Sequence, residues 1–166
     1  MQKPRAASLL TAAFFVSAAA YAQRAVIVVR HADKISASDE RLSDAGRARA
    51  ARLAKILRDA GVTAVYATET ERAIETARPL ADARKLQVQS YDIGSGHTID
   101  AKPFVERLAR EQRDGIVLVV GHSNSLPDLL KALGCTTEIS IAQEDYDNLF
   151  VVVPKGGTAE LVRLRF

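Results

Sequence analysis

Arginine and histidine adjoin at Arg30-His31, a second histidine stands in Gly121-His122-Ser123, and a further arginine, Arg72, follows Thr68 by four positions. Those side-chain types suit a dianionic tetrahedral group. Planar guanidinium forks match phosphate oxygens two at a time, and imidazole is neutral in a large fraction of molecules near pH 7. One imidazole could then attack phosphorus while the other, as a donor, steadies the equatorial oxygens, which implies a phosphohistidine intermediate. Each preorganised donor aimed at transition-state charge is worth on the order of 3 kcal/mol in comparable sites. The third histidine, His97, ends the run Gly94-Ser95-Gly96-His97 and reads as a solvated loop residue. A metal centre built on His31, His97 and His122 would need carboxylates or a cysteine at ligand spacing. The single Cys135 has no such companions, and after the helix-ending Gly134 it reads as a small buried residue.

Bringing these groups together requires strands that end side by side. Residues 25–29 are continuously apolar and mostly β-branched, as in a strand buried on both faces, and Arg30 ends it. Ser43 and Asp44 then open a helix in which Ala45, Ala48, Leu53, Ile56, Leu57 and Ala60 keep helical spacing up to Gly61. The alternation continues with a strand at 62–67, a helix at 71–83 that Pro79 would disturb, and a strand at 86–91. A short helix at 103–110, a strongly apolar strand at 116–120 and a helix from Pro127 to the stop at Gly134 follow. Residues 149–153 and 159–164 read as a hairpin around 154–157. The pattern predicts an α/β fold of three layers, α/β/α, with a mainly parallel sheet and one late antiparallel strand. In a 3-2-1-4 strand order, strands one and four would be neighbours where the order reverses, so that His31 and His122 meet outside their carboxyl ends and Arg72 joins them from the second helix.

A chain of 166 residues, 48% hydrophobic and 26% charged, is one packed domain and excludes disordered and low-complexity classes. Twenty-three basic against 20 acidic residues give a formal +3, too balanced to argue for nucleic acid. Residues 1–22 stand apart: Lys3 and Arg5, an apolar run over 6–20 and then Ala20-Tyr21-Ala22 form a signal-peptide pattern. Cleavage after Ala22 would leave a domain of 23–166, secreted or periplasmic, monomeric and without a membrane span. Gln23 at the new terminus excludes a lipoprotein.

Four motifs carry a resemblance to the histidine phosphatase superfamily, the phosphoglycerate mutase-like fold. Arg30-His31-Ala32-Asp33-Lys34 resembles the Arg-His-Gly signature in its Arg-His-Ala variant, and Leu42-Ser43-Asp44-Ala45-Gly46 resembles the segment that opens the first helix. Thr68, Arg72, Thr76 and Ala77 match the Ser-x-x-x-Arg-x-x-x-Thr-Ala pattern, and Val120-Gly121-His122-Ser123-Asn124 matches the second histidine motif. The resemblance implies that His31 is the nucleophile, that Arg30, Arg72 and His122 grip the phosphoryl group, and that neither metal nor another cofactor is needed. It also implies a carboxylic acid that protonates the leaving oxygen. Asp92 is the nearest match, with Asp100, Asp128 and Glu144 open. The short chain has little room for a deep lid, which favours hydrolysis of a phosphomonoester, either a small molecule or a phosphorylated cell-envelope component, over phosphate exchange.

Plainer readings stand beside these. Arg72 could pair with Glu69 or Glu75 on a helix surface, and Arg47, Arg49 and Arg52 could be surface charges. Asp92 could simply start the turn to Gly94. A domain that keeps the arginines but lacks an effective acid would bind phosphate or a phosphoprotein without turnover.

Overall fold

The computed structural model describes residues 23–94 and 98–166, so the expected leader and His97 lie outside the described residues. The elements run β1 (Ala25–Arg30), α1 (Asp44–Ile56), β2 (Val62–Ala67), α2 (Glu71–Arg84), β3 (Val88–Ser90), α3 (Lys102–Glu111), β4 (Ile116–Gly121), α4 (Leu126–Ala132), β5 (Asn148–Lys155) and β6 (Thr158–Arg165). Their order across one six-stranded sheet is β3-β2-β4-β1-β5-β6. The first four in sequence run parallel, β5 runs against β1, and β6 returns beside β5. The expected three-layer architecture with one reversed strand is therefore present.

The strand order differs from the expected 3-2-1-4. β4 lies between β2 and β1, because β5 takes the other edge of β1 through Val26↔Val152 to Val29↔Leu149. Both β1 and β4 are apolar enough for a central position, with Val26, Val28, Val29 and all of 117–120 fully buried, so their composition does not rank them. They are neighbours in either order, and the convergence of their ends survives the correction.

Side chains alternate across the sheet. Val26, Val28, Val117 and Val119 pack with Phe104, Leu108, Leu126 and Leu129 of α3 and α4. Ile27, Val29, Leu118 and Val120 pack with Leu53, Ala73, Ala77 and Leu80 of α1 and α2. Connections from β1 and β4 thus leave on opposite faces, which opens a crevice at their carboxyl ends. Helix α2 carries Pro79 in its interior and ends on Lys85 in the left-handed region. The Gly156-Gly157 pair, both at positive φ, forms the two-residue turn between β5 and β6. Among the described residues, no helix is long and apolar enough to cross a membrane.

Helix α1 starts where its sequence says it should. Ser43 caps it by accepting from Gly46 N at 3.1 Å and also donates to the Asp33 carbonyl. Gly46 is required by closeness rather than by φ: a Cβ there would stand 2.1 Å from the Asp33 carbonyl oxygen. Gly46→Ala should therefore cost about 1–3 kcal/mol through forced backbone displacement, read as a lower urea midpoint. An unchanged midpoint would mean that α1 slides away from the 31–33 segment freely.

Candidate active site

Parallel pairing of β1 with β4 puts Arg30 opposite Gly121, so the next residues, His31 and His122, leave the sheet side by side. The His31 amide continues the ladder by donating to the Gly121 carbonyl at 2.9 Å. Their rings stand edge to face with centroids 5.2 Å apart. Both line a cavity of about 520 Å³ together with Arg30, Arg72, Thr68 and Asp92. The four phosphate-directed residues expected from the sequence thus meet in one place.

His31 is oriented by main chain. Its Nδ1 is 2.8 Å from the Ala32 carbonyl, and a carbonyl only accepts, so Nδ1 carries the proton and Nε2 keeps a lone pair. The Ala32 peptide is fixed at its other end by Thr76, whose hydroxyl accepts from Ala32 N at 2.9 Å and donates to the Arg72 carbonyl at 2.7 Å. One buried threonine of α2 thereby ties the His31 loop to the backbone that carries Arg72. Arg49 adds a brace: it donates to Asp33 Oδ2 at 2.6 Å and to the Phe166 carbonyl at 3.2 Å, which is more than the surface role its sequence context suggested.

His122 has the opposite tautomer. Arg72 Nη2 lies 3.5 Å from Nδ1 and guanidinium only donates, so the neutral ring protonates Nε2, which donates to Thr68 Oγ1 at 2.9 Å. Arg72 does not pair with Glu69 or Glu75. Its Nη1 makes an ion pair with Glu40, from the segment between β1 and α1, while Glu75 accepts from Leu42 N and Glu69 accepts from Ser90 Oγ. The buried Nε atoms of Arg30 and Arg72 have no hydrogen-bond partner. Donors left this way in a buried site are costly unless an anion arrives.

The carboxylates separate clearly. Asp92 lines the cavity, with Oδ1 accepting from Gly94 N at 2.8 Å, so the expected turn and the expected location coexist. Asp100 instead accepts from Lys102 N at the start of α3, and Asp128 borders a different cavity beside Cys135. Glu144 is exposed and does not line the site. Glu69 does line it, and Glu40 reaches it through Arg72. Sequence reasoning missed Glu40 and Tyr146, which also lines the cavity, because both come from segments without periodicity; no motif marked them.

Burial, reinforced by neighbouring cations, sets the protonation of both rings. His31 is pushed down to about 3 by desolvation, against the pull of its Ala32 acceptor and with His122, Arg72 and Arg30 adding to it. Desolvation and then Arg72 bring His122 down to about 4, with Glu40 opposing. Unfolded histidines protonate near 6.5, so between that value and about 4 the unfolded chain binds more protons than the folded one. This contribution to stability is complete above pH ~6.5 and shrinks as pH falls. Ring-proton titration of the anion-free protein should show neither His31 nor His122 charging between about pH 5 and 8. An inflection near the ordinary value for either ring would contradict the desolvated site.

A family model for the histidine phosphatase superfamily (branch 1) matches residues 26–92, the stretch that carries Arg30, His31, Arg72 and Asp92. No curated protein matches the chain by sequence. Among solved structures, the protein histidine phosphatase SixA in complex with tungstate aligns with a TM-score of 0.67 at 18% identity, over 85% of this chain and 96% of that one. A mycobacterial glucosyl-3-phosphoglycerate phosphatase with inorganic phosphate gives 0.65 at 14% identity, over 86% and 96%. Bacillus stearothermophilus YhfR gives 0.64 at 18%, over 85% and 96%. At such identities the likeness is one of fold, and at 85% coverage it extends well beyond the stretch that the family model matches. The chain is thus similar to the histidine phosphatase superfamily over residues 26–92, and across most of its length it shares the fold of these phosphatases.

Proposed function

We propose that the protein hydrolyses phosphomonoesters through a phosphohistidine formed on His31. The observation that carries the reading is the pair of buried, unpartnered guanidinium Nε donors, Arg30 and Arg72, beside an imidazole whose Nε2 lone pair is free. A phosphate dianion would satisfy both donors and offer its phosphorus to that lone pair. In the first step His31 Nε2 bonds to phosphorus, the P–O ester bond breaks, and the leaving oxygen takes a proton from a carboxylic acid. In the second, water attacks the phosphohistidine, its proton returns to the carboxylate, and inorganic phosphate leaves with His31 neutral again. The arriving dianion would favour a protonated His122, which could then donate to an equatorial oxygen. Phosphatase neighbours support the reading by fold.

The acid in this proposal is Asp92, which lines the cavity just beyond β3. Export is part of the same proposal and rests on the charge and hydropathy pattern of residues 1–22.

Two experiments test the chemistry. A brief reaction with a labelled phosphomonoester should trap acid-labile label on the wild-type protein and none on His31→Ala; equal labelling of both would remove His31 as nucleophile, and absence of turnover and label in the wild type would favour the non-catalytic binder. Separately, Asp92→Asn should slow alkyl phosphate hydrolysis by roughly 10²- to 10⁴-fold while sparing aryl phosphates with acidic leaving groups. Equal effects on both substrates, or none, would move the role to Glu69 or Glu40, the other carboxylates at the site.

A further inference from the structure

Arg30 is a buried guanidinium with no carboxylate at ion-pair distance among the described residues. Buried charges are normally paired, because an unpaired one is expensive. Here the compensation comes from neutral groups. Arg30 Nη1 donates to the Gln143 carbonyl at 2.5 Å and is 3.3 Å from that of Ala142, and its central carbon lies 4.0 Å from the centroid of the Tyr146 ring. The same ring stands 5.9 Å from that of His31. All three contacts come from one irregular segment, 142–147, which leads into β5 beside the carboxyl end of β1.

That segment is tied down from the far edge of the sheet. Arg165 of β6 makes ion pairs with Asp147 and, at 3.4 Å, with Asp145. Arg163 donates to Asn148 Oδ1 at 2.8 Å, and Phe166 N donates to the Asp147 carbonyl at 3.0 Å. Asp145 and Asp147 are therefore drawn to β6 arginines. The exposed Glu144, like Asp33, acts on Arg30 only from beyond ion-pair distance, while the carbonyls and the aromatic face of the stretch are turned to Arg30. A carboxylate in their place would hold Arg30 as firmly, but it would neutralise the guanidinium and compete with an incoming anion. Carbonyl dipoles and a π face fix the plane without cancelling the charge.

We infer that Tyr146 is a positioning residue for anion binding: its ring, with the 142 and 143 carbonyls, forms a cradle that holds Arg30 without an ion pair and aims its fork into the cavity. The inference rests on the phosphate-binding role proposed for Arg30. Orthophosphate titration by calorimetry tests it on the wild type, Tyr146→Leu, Tyr146→Phe, Arg30→Met and the Arg30→Met/Tyr146→Leu pair. Loss of the stacked face should weaken orthophosphate binding roughly threefold to thirtyfold in Tyr146→Leu. Tyr146→Phe, which keeps the face, should rescue it, and Tyr146→Leu should add nothing once Arg30 is methionine. Nitrogen-proton spectra supply a readout independent of any ligand: the Arg30 Nε–H resonance should carry a ring-current shift in the wild type and Tyr146→Phe and lose it in Tyr146→Leu. A wild type that binds no orthophosphate would overturn the phosphatase reading and, with it, this role for Tyr146. A wild type that binds, with Tyr146→Leu binding equally well or weakening binding as much in the Arg30→Met background, would overturn the positioning role alone.

Discussion

The parallel register of β1 against β4 is the constraint on which the rest of the molecule turns. With Arg30 opposite Gly121, the two histidines must emerge together, and a slip of one residue would send every side chain of β1 to the wrong face of the sheet. Two separate apolar clusters enforce that register, because alternate residues of both strands are claimed by α1 and α2 on one side and by α3 and α4 on the other. The hydrophobic core and the geometry of the site are thus one arrangement: the burial of Val28 and Val119 is also what sets where His31 and His122 stand.

Collecting two guanidiniums and two imidazoles in a buried crevice opposes folding, and the structure limits the cost in different ways. The imidazoles stay neutral, Arg72 is met by Glu40, and Arg30 is met by carbonyls and an aromatic ring. These solutions differ in what an anion must displace. At Arg72 a dianion competes with a carboxylate on an exposed segment, whereas at Arg30 no carboxylate stands at ion-pair distance among the described residues, and Glu144 and Asp33 act only from farther off. The residual imbalance is a preference for negative charge built into the folded state, of the kind that sites for charged substrates often hold at the expense of stability.

Arg30, His31 and His122 were legible in the sequence because they stand at the carboxyl ends of strongly apolar strands, and Arg72 because it opens α2 just after β2 on the same edge. Asp92 was read from the family resemblance and its place after the third strand rather than from an apolar pattern, and the structure puts it at the cavity. The position of β4 was not legible, since β1 and β4 read alike and only the pairing of β5 with β1 distinguishes them. Glu40 and Tyr146 were hidden by lying in irregular segments, 34–43 and 133–147, whose paths depend on distant tethers such as Arg165 with Asp147. Arg49 looked like one charge among several on a helix, and only the proximity of Asp33 and the last residue gives it a partner on each side.

The peptide of residue 32 separates chemical importance from side-chain identity. Its carbonyl selects the His31 tautomer and its amide is held by Thr76, yet its methyl group merely fills a small space beside Leu42 and Ala50. Any small residue with an amide hydrogen could serve, so a scan of side-chain replacements would score the position by the volume it admits. The information that matters there is carried by the backbone and is written in the neighbours that hold it.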